Sequence, residues 1–386
     1  MAHGVQAVTE AIAGIADTWR NERPERQARR HLDRSDFESL RGAGLLTWPV
    51  PIADGGLWEG IAESARTLCE TYRVLAAGDP SVALVSSMHP AVIAFWLASP
   101  DPSQIEWERQ RSAVFASALA GEQWGTITSE PGSGGDIFKT RTIATALDEA
   151  LFLPGRAYTV AGDKHFGSGS GVTDRMITTA VAEGDDAPAF FVLDMRDRPW
   201  DGTAGLRLIA EWDGMGMKAT QSHAMRLEGV PAVRMAWGGE LGAITRAAGP
   251  VVATLFTSVV LGVLDEAVSV AREQVRSRVA QLRPYEQVEW ARAEQDHWLA
   301  VQAYEGALRA MESGDPAAAF HAALRAKQSV AELAESTLQR LTRVLGGGTF
   351  SQRSPFAHWF EDVRALGFLR PPWGLAYDQL FATSLE

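Results

Sequence analysis

Thr128-Ser129-Glu130-Pro131-Gly132-Ser133-Gly134-Gly135-Asp136 gathers hydroxyls, two carboxylates, three glycines and a proline into nine residues. Glycine and proline both break helices and strand interiors, so this is a loop that no apolar core requires. Such a loop can bring backbone N–H groups and hydroxyls against a ligand. About thirty residues on comes Gly162-Asp163-Lys164-His165-Phe166-Gly167-Ser168-Gly169-Ser170, again glycine and hydroxyl with an aromatic between. A third cluster follows, Trp212-Asp213-Gly214-Met215-Gly216-Met217-Lys218-Ala219-Thr220-Gln221-Ser222-His223.

The chain around these loops divides in three. Residues 1–122 read as helical. Val5–Ile15, Asp36–Leu45 and Ile61–Ala77 carry apolar residues at three- and four-residue spacing, and Asp79-Pro80-Ser81 opens a further helix with proline where the first turn tolerates it. Ser35 or Asp36 is placed to cap the second helix. Over 123–236 short β-rich runs appear at Arg141–Ala146, Leu151–Leu153, Met176–Val181, Ala189–Leu193 and Ala224–Leu227, separated by turn residues. That spacing predicts a small sheet or barrel. Helical periodicity returns over 237–386, in Ile244–Arg278, Tyr285–Ser313, Pro316–Leu345 and Pro355–Phe368, the last stopped by Pro371-Pro372. The expected class is α+β: an N-terminal helical domain, a middle β-barrel domain holding the ligand loops, and a C-terminal four-helix bundle.

At 386 residues the chain has ample material for a buried core, and 46% hydrophobic with 22% charged residues is ordinary for a globular protein. A net charge of −12 argues against nucleic acid as a main partner, while leaving room for a phosphorylated small molecule in a local basic pocket. The single cysteine, Cys69, allows no intrachain disulfide and sits in an apolar helical pattern as a core residue. No secretory signal is visible, and the longest apolar stretch, Pro250–Leu264, is too short to span a bilayer and reads as a buried helix. The expected location is the cytoplasm, with no membrane partner.

In their order and spacing the three clusters resemble the acyl-CoA dehydrogenase superfamily of flavoproteins. Those proteins carry a T-E-P-G-x-G-x-D loop, a G-x-K-x-x-x-S/T segment and a later G-M-(R/K)-x-T-x-S. Their closing G-G-x-G-[FY]…P…R-D-A-[RK] is similar to Gly346-Gly347-Gly348-Thr349-Phe350, Pro355 and Glu361-Asp362-Val363-Arg364-Ala365 here. Asp36–Leu46, Val50-Pro51 and Gly55-Gly56-Leu57 fit the family's first helix and turn, so the resemblance covers nearly the whole chain. It implies bound FAD, or FMN if the chemistry is that of a monooxygenase. Ser129 then falls at the hydroxyl that donates to the pyrimidine edge of the flavin, Phe166 at the aromatic beside the ring, and Ser168 at the hydroxyl near the reactive nitrogen. Ile127 and Thr128 would line the loop through their backbone. For the adenine half, Gly346 and Gly347 align, Arg343 stands where glutamine is usual, and Arg276 or Arg278 stands in for the arginine of a missing R-x-x-F-G. That half is often completed by a neighbouring subunit, which implies a homodimer or homotetramer.

The family's dehydrogenases remove an α-proton with a glutamate as hydride leaves the β-carbon, and the base must sit beside that carbon. The commonest glutamate position is Arg370 here, and a guanidinium stays protonated. The second position is Gly242 or Ala248. Arg370 instead suits an anionic group on the substrate. Asp378 and Glu240 remain as candidate bases. Gly135 replaces the serine that contacts the carrier phosphate region, which weakens an ordinary coenzyme A thioester as substrate. The expected activity is α,β-dehydrogenation of an acyl-CoA or acyl-like small molecule, with electrons passed to an acceptor. The alternatives are a reduced-flavin monooxygenase fed by a flavin reductase, and an inactive partner subunit. No metal is expected.

Overall fold

The computed structural model describes residues 4–97 and 104–385. The chain opens with helices α1 (Val5–Asn21), α2 (Arg23–Ala28), α3 (Arg34–Gly42), α4 (Ile61–Gly78), α5 (Pro80–Leu97) and α6 (Ile105–Leu119). Asp33, rather than Ser35 or Asp36, caps α3, accepting from the Ser35 N–H. Cys69 is fully buried on α4, and burial pushes its thiol up. Helix α5 is apolar all round and packs against α4, the first strand and the long C-terminal helix Leu241–Ser277.

Seven strands follow: β1 (Trp124–Thr126), β2 (Ile143–Ala146), β3 (Ala157–Gly167), β4 (Arg175–Ala182), β5 (Pro188–Asp194), β6 (Leu206–Ala210) and β7 (His223–Arg234). Pairing runs β4-β2-β3-β7-β5 and returns from β5 to β4, so the sheet closes into a barrel. Strand β1 joins the start of β4 in parallel, and β6 pairs along the first half of β7. Tyr158, Val160, Met176, Phe191, Leu193 and Leu227 fill the interior. One expectation needs correction here, and one strand was not expected. Leu151–Leu153 is irregular; Leu153 packs into the helical core just before Pro154-Gly155 turns the chain. Strand β3 includes the Gly162–Gly167 cluster, whose glycine and charge hide its strand character, and its ladder is bulged at Val160/Ala161 and Lys164/Gly167.

The C-terminal region is built from α7 (Leu241–Ser277), α8 (Pro284–Glu312) and α9 (Pro316–Leu345), which pack side by side. The predicted fourth helix is split into α10 (Pro355–Val363) and α11 (Ala365–Phe368). Pro371-Pro372 then starts a helix the periodicity did not show, α12 (Trp373–Thr383), with Pro372 at its N-cap. Residues from Val8 to Leu366 share one apolar core, so the first and last thirds of the chain form one packing unit with the barrel set against it. Among the described residues two helices, α5 and α7, are long and apolar enough to cross a membrane, but 89% and 83% of their apolar windows are buried within the fold.

His89 couples α5 to the barrel. Its Nδ1 accepts from the Trp124 N–H at 3.1 Å, so the ring proton sits on Nε2 and donates to Leu46 O at 2.8 Å. Burial holds its pKa down at about 4, against an ordinary 6.5. The folded state therefore binds fewer protons than the unfolded one between those values, and stability rises with pH across that window. The slope should amount to at most about 3 kcal/mol, and His89→Gln should flatten it in urea titrations run between pH 4 and 7.

Candidate functional site

A cavity of about 1160 Å³ lies where the barrel rim, α5, α7, α9 and the C-terminal arm meet. Met88, Val92 and Phe95 of α5, Phe256 of α7 and Phe320 of α9 give it an apolar wall. The opposite rim is the loop Thr128–Asp136.

That loop is fixed from beneath. The buried Glu130 carboxylate accepts from Lys164 Nζ at 2.7 Å, Thr142 Oγ1 at 2.6 Å, the Arg141 N–H at 2.7 Å, and Thr140 Oγ1. Burial alone would raise this carboxyl, but its donors, Lys164 foremost, outweigh that and hold it at about 2. Lys164 also donates to Thr179 O at 2.7 Å; burial lowers it to about 8 against the pull of Glu130, so it remains charged at neutral pH. The two motif residues are thus a structural pair, and neither is free for chemistry.

The floor comes from the other two clusters. Phe166 is 58% exposed to the cavity with φ 58°, a left-handed conformation costly for an aromatic residue. Trp212 meets it edge-on at 6.1 Å. Beside them runs a buried hydroxyl chain: Ser168 Oγ to Ser222 Oγ at 2.7 Å, and Ser222 Oγ to Thr220 Oγ1 at 2.7 Å. The Trp212–Ser222 wall is clamped from outside by α10. Asp362 accepts from the Met217 N–H at 2.6 Å, Lys218 Nζ meets His358 Nδ1 at 3.0 Å, and a Cβ on Gly216 would lie 2.1 Å from Glu361 O. Burial raises the Asp362 carboxyl to about 7. Gly216→Ala must push the wall off α10. The expected result is a loss of about 1–3 kcal/mol of stability and at least about tenfold weaker ligand binding, read by thermal melts and flavin fluorescence titration.

Arg370 closes the rim from the C-terminal arm. Its guanidinium donates to Ser129 Oγ at 3.1 Å and to Gly135 O at 3.2 Å, and a Cβ on Gly135 would meet Pro372 Cγ at 2.8 Å. Burial lowers Arg370 to about 10, opposed by Asp136. Because the Ser129 oxygen accepts from Arg370, its own proton is left to point elsewhere.

Of the residues singled out from sequence, Thr128, Ser129, Gly135, Phe166, Ser168, Gly242 and Arg370 line this cavity. Ile127 does not. Its side chain is in the barrel core, its N–H donates to Ile177 O and its carbonyl accepts from Thr178 Oγ1, so its backbone has no free donor. Arg276 lies about 30 Å along α7 from Phe256, at 1.5 Å per residue, beyond reach of this cavity. Arg278 donates to Val344 O and Arg343 pairs with Glu289 at 3.2 Å. Gly346 caps α9 and Gly347 begins a short 3-10 turn, both away from the cavity. Glu240 and Asp378 are exposed outside the lining. The carboxylates that do line it are all engaged: Glu130 by Lys164, Glu361 by Arg364 at 2.8 Å, and Asp136 by the Phe138 N–H at 3.0 Å. Sequence reading missed Trp212, Thr220 and Ser222, although the third cluster contained them; its excess of hydroxyl and aromatic residues was the available signal.

No family model matches the chain. It is 25% identical over 317 residues to a dibenzothiophene monooxygenase of Rhodococcus qingshengii, covering 79% of this chain and 70% of that protein. It is 27% identical over 351 residues to the amino sugar nitrososynthase DnmZ of Streptomyces peucetius, covering 87% and 82%. The solved structure of FMN-bound TdsC from Paenibacillus sp. A11-2 superposes with a TM-score of 0.79 at 20% identity, over 97% of this chain and 96% of that one. The fold is that of the acyl-CoA dehydrogenase-like flavoenzymes, as the α+β reading expected.

Proposed function

We propose that this protein is a flavin-dependent monooxygenase that takes reduced FMN from a separate flavin reductase and places one atom of O2 on an apolar small molecule. The observation that carries this reading is the state of the carboxylates: every one lining the cavity is already engaged, and Arg370 occupies the position of a base. Where the resembled dehydrogenases carry their glutamate, this chain offers an acyl substrate's α-proton only a guanidinium. This reading replaces the expected α,β-dehydrogenation, and its relatives named as monooxygenase and nitrososynthase support it.

The residues suit a flavin. A flat ring edged with hydrogen-bonding atoms needs an aromatic contact and a few hydroxyls, which Phe166, Trp212, Ser129, Ser168 and Ser222 offer around one cavity. FMN is favoured over FAD because FMN is the flavin named in solved structures that superpose on this chain, TdsC and KijD3 among them. Reduced flavin supplies two electrons, so that substrate, O2 and FMNH2 yield oxygenated substrate, FMN and water. The protein's part would be to offer the Phe166 side of the cavity to the ring, and to exclude water with Met88, Val92, Phe95 and Phe256. That wall favours an apolar, aromatic or sulfur-containing substrate over a coenzyme A thioester.

The test begins with anaerobically reduced FMN mixed with the protein and then with oxygenated buffer. The expected result is hydrogen peroxide release much slower than from free reduced FMN, with label from 18O2 entering dibenzothiophene when it is supplied. Peroxide release at the free-flavin rate, together with anaerobic bleaching of bound oxidised flavin by an acyl-CoA thioester, would overturn the proposal.

A further inference from the structure

Lys327 is fully buried on α9, and among the described residues no carboxylate pairs with it. An isolated ammonium in a core is expensive, and burial alone lowers this one to about 7. Its two hydrogen bonds explain its position. Nζ donates to Leu366 O at 2.8 Å and to Pro371 O at 2.9 Å. These carbonyls flank Arg370. One belongs to the single-turn α11, and the other sits in a Pro-Pro pair that offers no N–H of its own. A donor from outside the arm has to satisfy them, and Lys327 reaches both.

We infer that Lys327 is a positioning residue: by pinning the carbonyls of Leu366 and Pro371 it sets the Arg370 guanidinium over the loop that carries Ser129 and Gly135. The connection runs from the core of α9, through the arm, to the rim of the barrel. Both hydrogen bonds of Lys327 go to the arm, and those of Arg370 go on to the loop. The consequence for FMN rests on the function proposed above, but the link itself is a property of the chain without any ligand.

Hydrogen exchange read by mass spectrometry on the ligand-free protein tests it. In Lys327→Met, amides of residues 129–136 should exchange about tenfold faster, the size expected for loss of a charge-assisted hydrogen bond. Arg370→Met should give the same acceleration, and Lys327→Met in that background should add none. Unchanged exchange over 129–136, or acceleration that adds in the double variant, would overturn the inference. If methionine at 327 prevents folding, Lys327→Gln, whose shorter amide reaches one carbonyl at most, gives the same comparison. A protein that shows the coupling yet binds no FMN would sink the proposed function alone.

Discussion

Lys164→Met should destabilise the barrel by about 3–5 kcal/mol, one of the two largest effects expected here. The substitution keeps apolar bulk but leaves Glu130 a buried carboxylate without its counter-charge. Thr140, Thr142 and the Arg141 N–H would still donate to it, and neutral donors compensate a buried charge only in part. The signature is in the pH dependence. Glu130 is held at about 2 when folded against an ordinary 4.5, so its contribution is fully present above pH 4.5 and is lost as pH falls toward 2. Without Lys164 the folded pKa must rise, and the acid limb of stability should begin at higher pH. Guanidinium midpoints of wild type and variant between pH 3 and 7 measure both effects. Parallel curves, or a loss below about 1 kcal/mol, would mean the pair is not the anchor its geometry describes.

What the sequence made legible is tied to local pattern. Long periodic segments such as α7 and α9 were visible, as was the change to short strands after residue 122. So was the rim, because a loop of glycine, proline and hydroxyls has no structural competitor. The hidden parts depend on distant pairings. Ile127 is adjacent to the rim in sequence, yet strand pairing turns it into the barrel and uses up its backbone. Strand β3 was masked by Gly162 and Gly167; Gly162 pairs regularly with Leu227 of β7, while the ladder is bulged before Gly167. Arg370 was read only as facing a substrate anion. Its contacts to Ser129 and Gly135, more than two hundred residues upstream, were not visible. Nothing in spacing alone reports such a contact.

Arg370→Glu should weaken flavin binding by about a hundredfold or more without creating a dehydrogenase. On sequence resemblance alone the substitution restores the usual base and should confer α-proton abstraction. The geometry predicts the opposite. Both of the donor's present partners are oxygens, Ser129 Oγ and Gly135 O, and Asp136 is the next charge along. A carboxylate there turns one donor–acceptor pair into facing acceptors and adds repulsion from Asp136. The rim loop would lift from the arm, and the Ser129 hydroxyl would turn its proton toward the new carboxylate instead of the cavity. Fluorescence titration with FMN measures the loss, and anaerobic mixing with an acyl thioester checks for bleaching of the flavin. If the variant bound FMN as tightly as wild type and bleached with the thioester, Arg370 would be a displaced base position rather than a fastening of the site. A merely structural role for Arg370 would instead lower melting temperature and binding together in Arg370→Met. The fastening role predicts that Arg370→Met lowers binding by less than Arg370→Glu, because methionine removes the donors without opposing Gly135 O.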